Sequence, residues 1–265
     1  MPPAFGELLR EWRQARRYSQ ARLAEDAEVS TRHLSYLENG RSSPSREMVL
    51  VLASALEVPL RERNQWLARA GYAPAYTETP LTEAAMAPLR AAVSRMLEHH
   101  DPHPAVVIDR FFDVQELNGG MTRLVQTFVT PATPPEALAN VLVATFHPQA
   151  LRPHIVDWEP LAAHLVERLH RDSRLPGGER HAELLRRILA FPGVPESFAF
   201  PDPTRAAGPG VALHLRRGDL ELRFFSFLCA VGTPIDVTAE ELHLELYHPL
   251  DAATATWLRH DPPSG

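Results

Sequence analysis

Apolar positions in the first 75 residues recur at helical spacing, and the interruptions between them mark five short helices. Phe5, Leu8, Leu9, Trp12 and Ala15 share one side of an amphipathic segment running to Arg17. Ser19 is placed to cap a second helix carrying Leu23, Ala24 and Ala27. Glu28-Val29 breaks that pattern, and Ser30 caps a third helix whose Leu34 and Leu37 form a thin apolar seam. After Pro44-Ser45, a fourth helix turns Val49, Leu52, Ala53 and Leu56 inward. Pro59 ends it, and Leu60 to Ala70 makes the fifth, with Gly71 as its C-terminal cap. Five helices around one small core predict an all-α domain over residues 1–75.

Residues 72–80, YAPAYTETP, lack an apolar stripe, so residues 76–88 read as linker and the start of a connecting helix. That helix runs from Ala84 to His99 with Leu89, Val93, Met96 and Leu97 inward, and Pro102 and Pro104 end it. The period then changes. Ala105 to Ile108 is a short apolar run, Asp109-Arg110 a turn, and Phe112, Val114 and Leu117 suggest a second strand. Asn118-Gly119-Gly120 opens a helix containing Met121, Leu124, Val125 and Phe128. Helices are expected over 136–146, 158–169 and 179–190, and the stretch 191–210 reads as loop. Strand patterns return at Val211 to Leu215, at Leu220 to Val231 after a turn over 216–219, and at Glu241 to Tyr247. Two early strands, several helices and three late strands predict an α+β domain over residues 89–265, built on about five antiparallel strands.

The third helix carries the first chemical signal. Opposite its apolar seam stand Thr31, Arg32, Ser35 and Tyr36, small hydroxyls and an arginine on a face suited to a major groove. The spacing of Gln20, Leu23, Ala24, Ala27, Val29, Ser30, Leu34, the triplet Leu37-Glu38-Asn39 and Gly40 resembles the helix-turn-helix of the phage-repressor (Cro/C1-type, XRE) family. The resemblance implies that Gln20 holds a phosphate, that Thr31, Arg32 and Ser35 face bases, and that Arg41 and Arg46 reach backbone or minor groove. It also implies a buried structural ion pair between Arg13 and Glu38, which removes Glu38 from the catalytic candidates.

The stretch from Arg46 to Tyr76 is similar to the second half of such a domain. Its Asn64-Gln65-Trp66-Leu67 and Ala70-Gly71-Tyr72 resemble regulators of the MmyB-like group, which carry a C-terminal ligand-binding domain. HPAVVIDRFFDVQELNGG, Phe146-His147-Pro148, Trp158, GDLELRFFS and TAEELHLELYHP resemble that domain, which is PAS-like: one antiparallel sheet covered by helices. Such domains hold a small molecule in a mainly apolar cavity with few polar groups. Candidate walls are Phe128, Phe146, Trp158, Phe225 and Phe227, with His147 and Arg152 for a polar head group. The resemblance implies a hydrophobic or amphipathic ligand such as a fatty acid or a secondary metabolite.

Charge sharpens this division. The net charge of −6 argues against nucleic acid at first sight, but its distribution points the other way. Up to residue 75 there are eleven arginines against nine acidic residues, and beyond it sixteen against twenty-four. A mildly basic head on an acidic body fits a DNA-binding module, and its weak charge suits two heads on a palindromic site, hence a homodimer. The start MPPAFGELLREWRQ lacks an apolar signal core and no run of 18 apolar residues occurs, so a soluble, cytoplasmic protein is expected, without a membrane partner.

Cys229 is the only cysteine, which excludes an internal disulfide and any multi-cysteine zinc site. Among 13 histidines the densest groups are His99-His100-x-x-His103 and His147/His154, but Pro102 interrupts the helix that would align the first. No metal site or cofactor is expected beyond the small molecule. The chain holds no GxSxG, no phosphate-binding glycine loop and no GxGxxG, so no enzyme is expected. The reading is a ligand-responsive, sequence-specific transcriptional regulator. Its alternative is a constitutive DNA-binding regulator whose C-terminal domain binds protein and no ligand.

Overall fold

The computed structural model describes residues 4–202, 204 and 212–259; the strand onset expected at Val211 and most of the 203–211 stretch lie outside them. The chain divides into two compact units. The first joins Met1–Pro80 with Ser173–Glu179 and Thr233–Glu240, and the second comprises Leu81–Asp172, Arg180–Gly232 and Glu241–Gly265.

The first unit holds α1 (Phe5–Ala15), α2 (Gln20–Asp26), α3 (Thr31–Glu38), α4 (Arg46–Ala55) and α5 (Leu60–Arg69). Ser19, Ser30 and Ser45 cap α2, α3 and α4, each hydroxyl accepting the backbone N–H three residues on. All five helices end alike. Arg17, Glu28, Gly40, Glu57 and Gly71 adopt positive φ, and the next residue's N–H returns to a carbonyl five positions back, as from Tyr18 to Arg13 and from Val29 to Ala24. This 6→1 closure satisfies carbonyls that a helix end leaves orphaned, and reverses the chain within two residues. Leu9, Trp12, Leu23, Leu34, Leu37, Leu52, Leu56, Trp66 and Leu67 fill the core, with Phe5 edge-on to Trp66 at 5.7 Å. α1 crosses α3 so closely that a Cβ on Gly6 would stand 2.4 Å from the Leu37 carbonyl oxygen.

In the second unit, β1 (Ala105–Ile108), β2 (Val114–Leu117), β3 (Leu213–Arg217), β4 (Leu220–Ala230) and β5 (His243–Pro249) form one antiparallel sheet in the order β2-β1-β5-β4-β3. β1 lies between β2 and β5, and all four of its residues are buried, which explains its unbroken apolar run. Register sorts the side chains. Val106, Ile108, Leu215, Leu222, Phe224 and Tyr247 face a large core shared with α7 (Gly119–Phe128), α9 (Val141–Phe146), α10 (Trp158–Ser173) and α11 (Glu179–Leu189). Ala105, Val107 and Leu244 face the other way, onto Val93 and Leu97 of α6 (Ala87–His100).

Several expectations need correction. The helix read over 136–146 is two, α8 (Pro135–Leu138) and α9, because Asn140 interrupts it. The Asn140 side chain caps Leu142 and Val143 and donates to the Phe111 carbonyl and to Asp113, so the chain bends there to serve its own and its neighbours' backbone. Phe112 is not in β2; it sits at φ 66 in the preceding turn with its ring in the core. Arg216 and Arg217 belong to β3, and Gly218-Asp219 alone turns the chain. Glu241 ends a short helix, α12 (Val237–Glu241), and α13 (Ala252–Arg259), started by Asp251, was not foreseen. No helix among the described residues is long and apolar enough to cross a membrane.

Candidate functional site

In the head, α3 buries Leu34, Leu37 and Glu38 and leaves Thr31 and Arg32 exposed, with Ser35 and Tyr36 half-buried beside them. Arg32 is held by its neighbour: its Nε and Nη2 donate to the Tyr36 hydroxyl at 3.1 and 2.9 Å, and the guanidinium lies 5.4 Å from the ring centroid. The Ser35 hydroxyl accepts from Asn39 Nδ2 at 3.3 Å. Arg41 is exposed in the loop after α3, and Arg46 is exposed at the first position of α4.

Behind this face, Arg13 donates through Nε and Nη2 to the two oxygens of Glu38 at 2.5 and 3.0 Å, and through Nη1 to the Tyr18 carbonyl at 2.8 Å. Gln20 Nε2 donates to the same carboxylate at 2.8 Å, so one amide proton of this phosphate candidate is already committed inward. Arg10 donates to the Glu38 carbonyl and to Asn39 Oδ1. Burial works to raise the Glu38 pKa, yet hydrogen bonds from Arg13 and Gln20 and the charges of Arg13 and Arg10 hold it below its ordinary 4.5.

The seven ligand-wall candidates fall in different places and do not form one pocket. Phe128 and Phe146 are fully buried in the large core. Phe225 and Phe227 lie on the opposite face of the sheet, 5.3 Å apart, with Phe227 55% exposed. Strand alternation is the reason: Phe224 is the residue of that run that faces the core. His147 stands edge-on to Phe191 at 5.0 Å.

Arg152 and Trp158 do come together. They help line a surface cleft of about 760 Å³ with Pro148, Pro153, Asp157 and Glu159. The Arg152 guanidinium lies 4.1 Å from the Trp158 ring centroid and donates to the carbonyls of Pro192 and Gly193, both at 2.6 Å. Trp158 is fixed in turn by its Nε1, which donates to the Thr145 carbonyl at 2.9 Å, and by Phe146 edge-on at 5.1 Å.

Sequence reasoning missed a group of polar side chains on the core-facing side of β5. There His243, Glu245 and Tyr247 share one face; Arg168 of α10 lies near His243 and Glu245, and near His181 of α11. Burial pushes the Glu245 carboxyl up and the Tyr247 hydroxyl well up, and it pushes His181 and His243 down, so each is driven toward its neutral form. His181 Nε2 donates to the Arg110 carbonyl at 3.1 Å, while its buried Nδ1 has no hydrogen-bond partner. The available signal was the alternation of HLELY, whose polar members would ordinarily face solvent. Among the described residues no group of three or more histidine, cysteine or acidic side chains is arranged to hold a metal ion. His103 lies beyond the end of α6, and the rings of His100, His103 and His248 are 5.0 to 6.1 Å apart.

A helix-turn-helix domain model matches residues 4–66, and the model of the MmyB-like transcription regulator ligand binding domain matches residues 89–260. No curated protein matches the chain significantly. With more than half its length in the second match, this chain belongs to the MmyB-like transcription regulators, a helix-turn-helix DNA-binding domain followed by the family's ligand-binding domain.

Proposed function

We propose that the chain regulates transcription by reading an operator with α3, and that its C-terminal domain adjusts this reading when a small amphipathic molecule binds. Thr31, Arg32 and Ser35 meet base edges. Gln20, Arg41 and Arg46 meet phosphates or the minor groove, and Tyr36 keeps Arg32 extended along the helix. The observation that carries this reading is the outward face of α3, where an arginine is held by a neighbouring hydroxyl and not by an acid. Arginine so presented matches the two acceptors of guanine in the major groove. Two heads on a palindromic site, from a homodimer, compensate for the small positive charge of each.

The ligand seat supported best is the cleft at Arg152 and Trp158. It offers an indole and several prolines to an apolar body and one guanidinium to an anionic group. A ligand alters DNA affinity only as far as it binds one arrangement of the heads better than another. Native mass spectrometry of the purified protein, followed by release under denaturing conditions, tests this half. A small molecule held at a fixed ratio per subunit, and lost from Trp158→Ala, is the expected result. A clean apo mass, with Phe227 protected in a complex with another protein, would replace the sensor with a protein-interaction module.

A further inference from the structure

Two stretches inside the ligand-binding-domain match fold as part of the first unit: Ser173–Glu179 and Thr233–Glu240. The second is the connection from β4 to β5 and includes most of α12. Asp236 anchors it. Its Oδ2 accepts from the hydroxyls of Thr77 and Thr79, both at 2.7 Å, and from the Thr79 backbone N–H at 3.1 Å. Its Oδ1 accepts from the Thr238 N–H at 2.9 Å, and the Val237 N–H donates to the Thr77 carbonyl at 2.8 Å. Burial works to raise the Asp236 pKa, but these donors hold it below its ordinary 3.8.

Four residues on, Glu240 Oε2 accepts the Leu60 N–H at 2.7 Å. Leu60 opens α5, and the N-cap Pro59 supplies no side-chain acceptor there, so a carboxylate from far along the chain caps the helix. The other stretch reaches the same helix. Leu175 packs on the head core, and position 177 closes on Glu62 in the first turn of α5, whose Oε1 lies 3.0 Å from where a Cβ on Gly177 would stand. α5 in turn carries Trp66 and Leu67 into the core that supports α3.

We propose that Thr233–Glu240 is the transmission segment of this regulator. A rearrangement of β4 or β5 reaches the head through Glu240, which caps α5, and through Asp236, which holds Thr77 and Thr79 at the start of the linker. β5 is the middle strand of the sheet and carries the buried Tyr247 into the large core, so repacking of that core shifts one end of the segment. The origin of the signal rests on the sensor reading above; the coupling itself does not.

The test is a double-mutant cycle in the full chain that needs no ligand. Phe146→Leu perturbs the core of the second unit, Asp236→Ala releases the clamp, and hydrogen exchange of the amides over 63–69 reports on α5. Phe146→Leu alone should speed α5 exchange at least about threefold, and in the Asp236→Ala background it should add nothing further. The β1 amides should respond to Phe146→Leu equally in both backgrounds, showing that the perturbation is intact. The same factor at α5 in both backgrounds, or none in either, overturns the proposal. Should Asp236→Ala fail to fold, Asp236→Asn keeps the shape, removes the charge and runs the same cycle. A clean native mass with a positive cycle rejects the sensor alone, and a bound ligand with a flat cycle rejects the transmission segment alone.

Discussion

Replacing Glu38 by alanine removes the acid that neutralises Arg13 behind α3. The Arg13 side chain is only 12% exposed and directs two donors at Glu38, whose own side chain is 1% exposed. Losing one member of such a pair leaves a buried cation and costs about 3–5 kcal/mol. The head is a small domain, so this is a large share of the roughly 5–15 kcal/mol typical of folded domains. At a urea slope of about 1.5 kcal/mol per molar, the head's unfolding midpoint should fall by about 2 M or more. Trp12 and Trp66, both buried in the head core, report its unfolding in a background carrying Trp158→Phe and Trp257→Phe. The double replacement Arg13→Met/Glu38→Leu should recover most of the loss, because two apolar side chains leave no unpaired charge. The pH dependence has a definite sign. The folded Glu38 pKa is depressed, so its contribution is full above the unfolded value near 4.5 and disappears as pH falls through the folded one. A midpoint shift equivalent to less than about 1 kcal/mol for Glu38→Ala would refute the reasoning, since only a solvated surface pair costs so little.

Three further predictions rest on the same geometry. Gly6→Ala should destabilise the head by about 3 kcal/mol, because its Cβ would meet two backbone oxygens, of Leu37 and Glu38, that no rotamer change moves; equilibrium denaturation gives the number. Glu28→Gly should stabilise the head by about 0.5–1 kcal/mol, since Glu28 is exposed at φ 53, where a side chain is strained; a lower melting temperature would show that its side chain makes a contact of greater worth. Arg46→Ala should weaken DNA binding similarly across sequences and reduce the salt slope by about 1, measured by titration at several salt concentrations.

Much of the head was legible because local rules and tertiary packing agree there. Ser19 and Ser30 cap the helices they precede, Leu34 and Leu37 are buried at helical spacing, and Gly71 ends α5 in the left-handed region. The sheet was legible as five antiparallel strands because β1 and β4 are strongly apolar. What failed did so where a side chain answers to a distant partner. Asn140 looks like one polar residue within a helical run until the Phe111 carbonyl and Asp113 are beside it. Phe224 and Phe225 are indistinguishable without register, and the wrong one was set against Phe128 and Phe146. His243, Glu245 and Tyr247 alternate with leucines, and without register nothing shows that this polar side of β5 is the one turned to the large core. Asp236, in an ordinary-looking loop, acquires its role only from Thr77 and Thr79, more than 150 positions earlier.

The central claim is that α3 reads sequence. Selection from a random pool of duplexes by the full-length protein, repeated with Arg32→Ala, tests it most directly. Wild-type protein should enrich an inverted repeat, and Arg32→Ala should relax one position in each half-site at a cost of about 1–3 kcal/mol. A wild-type pool no more enriched than the input, or an Arg32→Ala pool with the same preference at every position, would contradict the account.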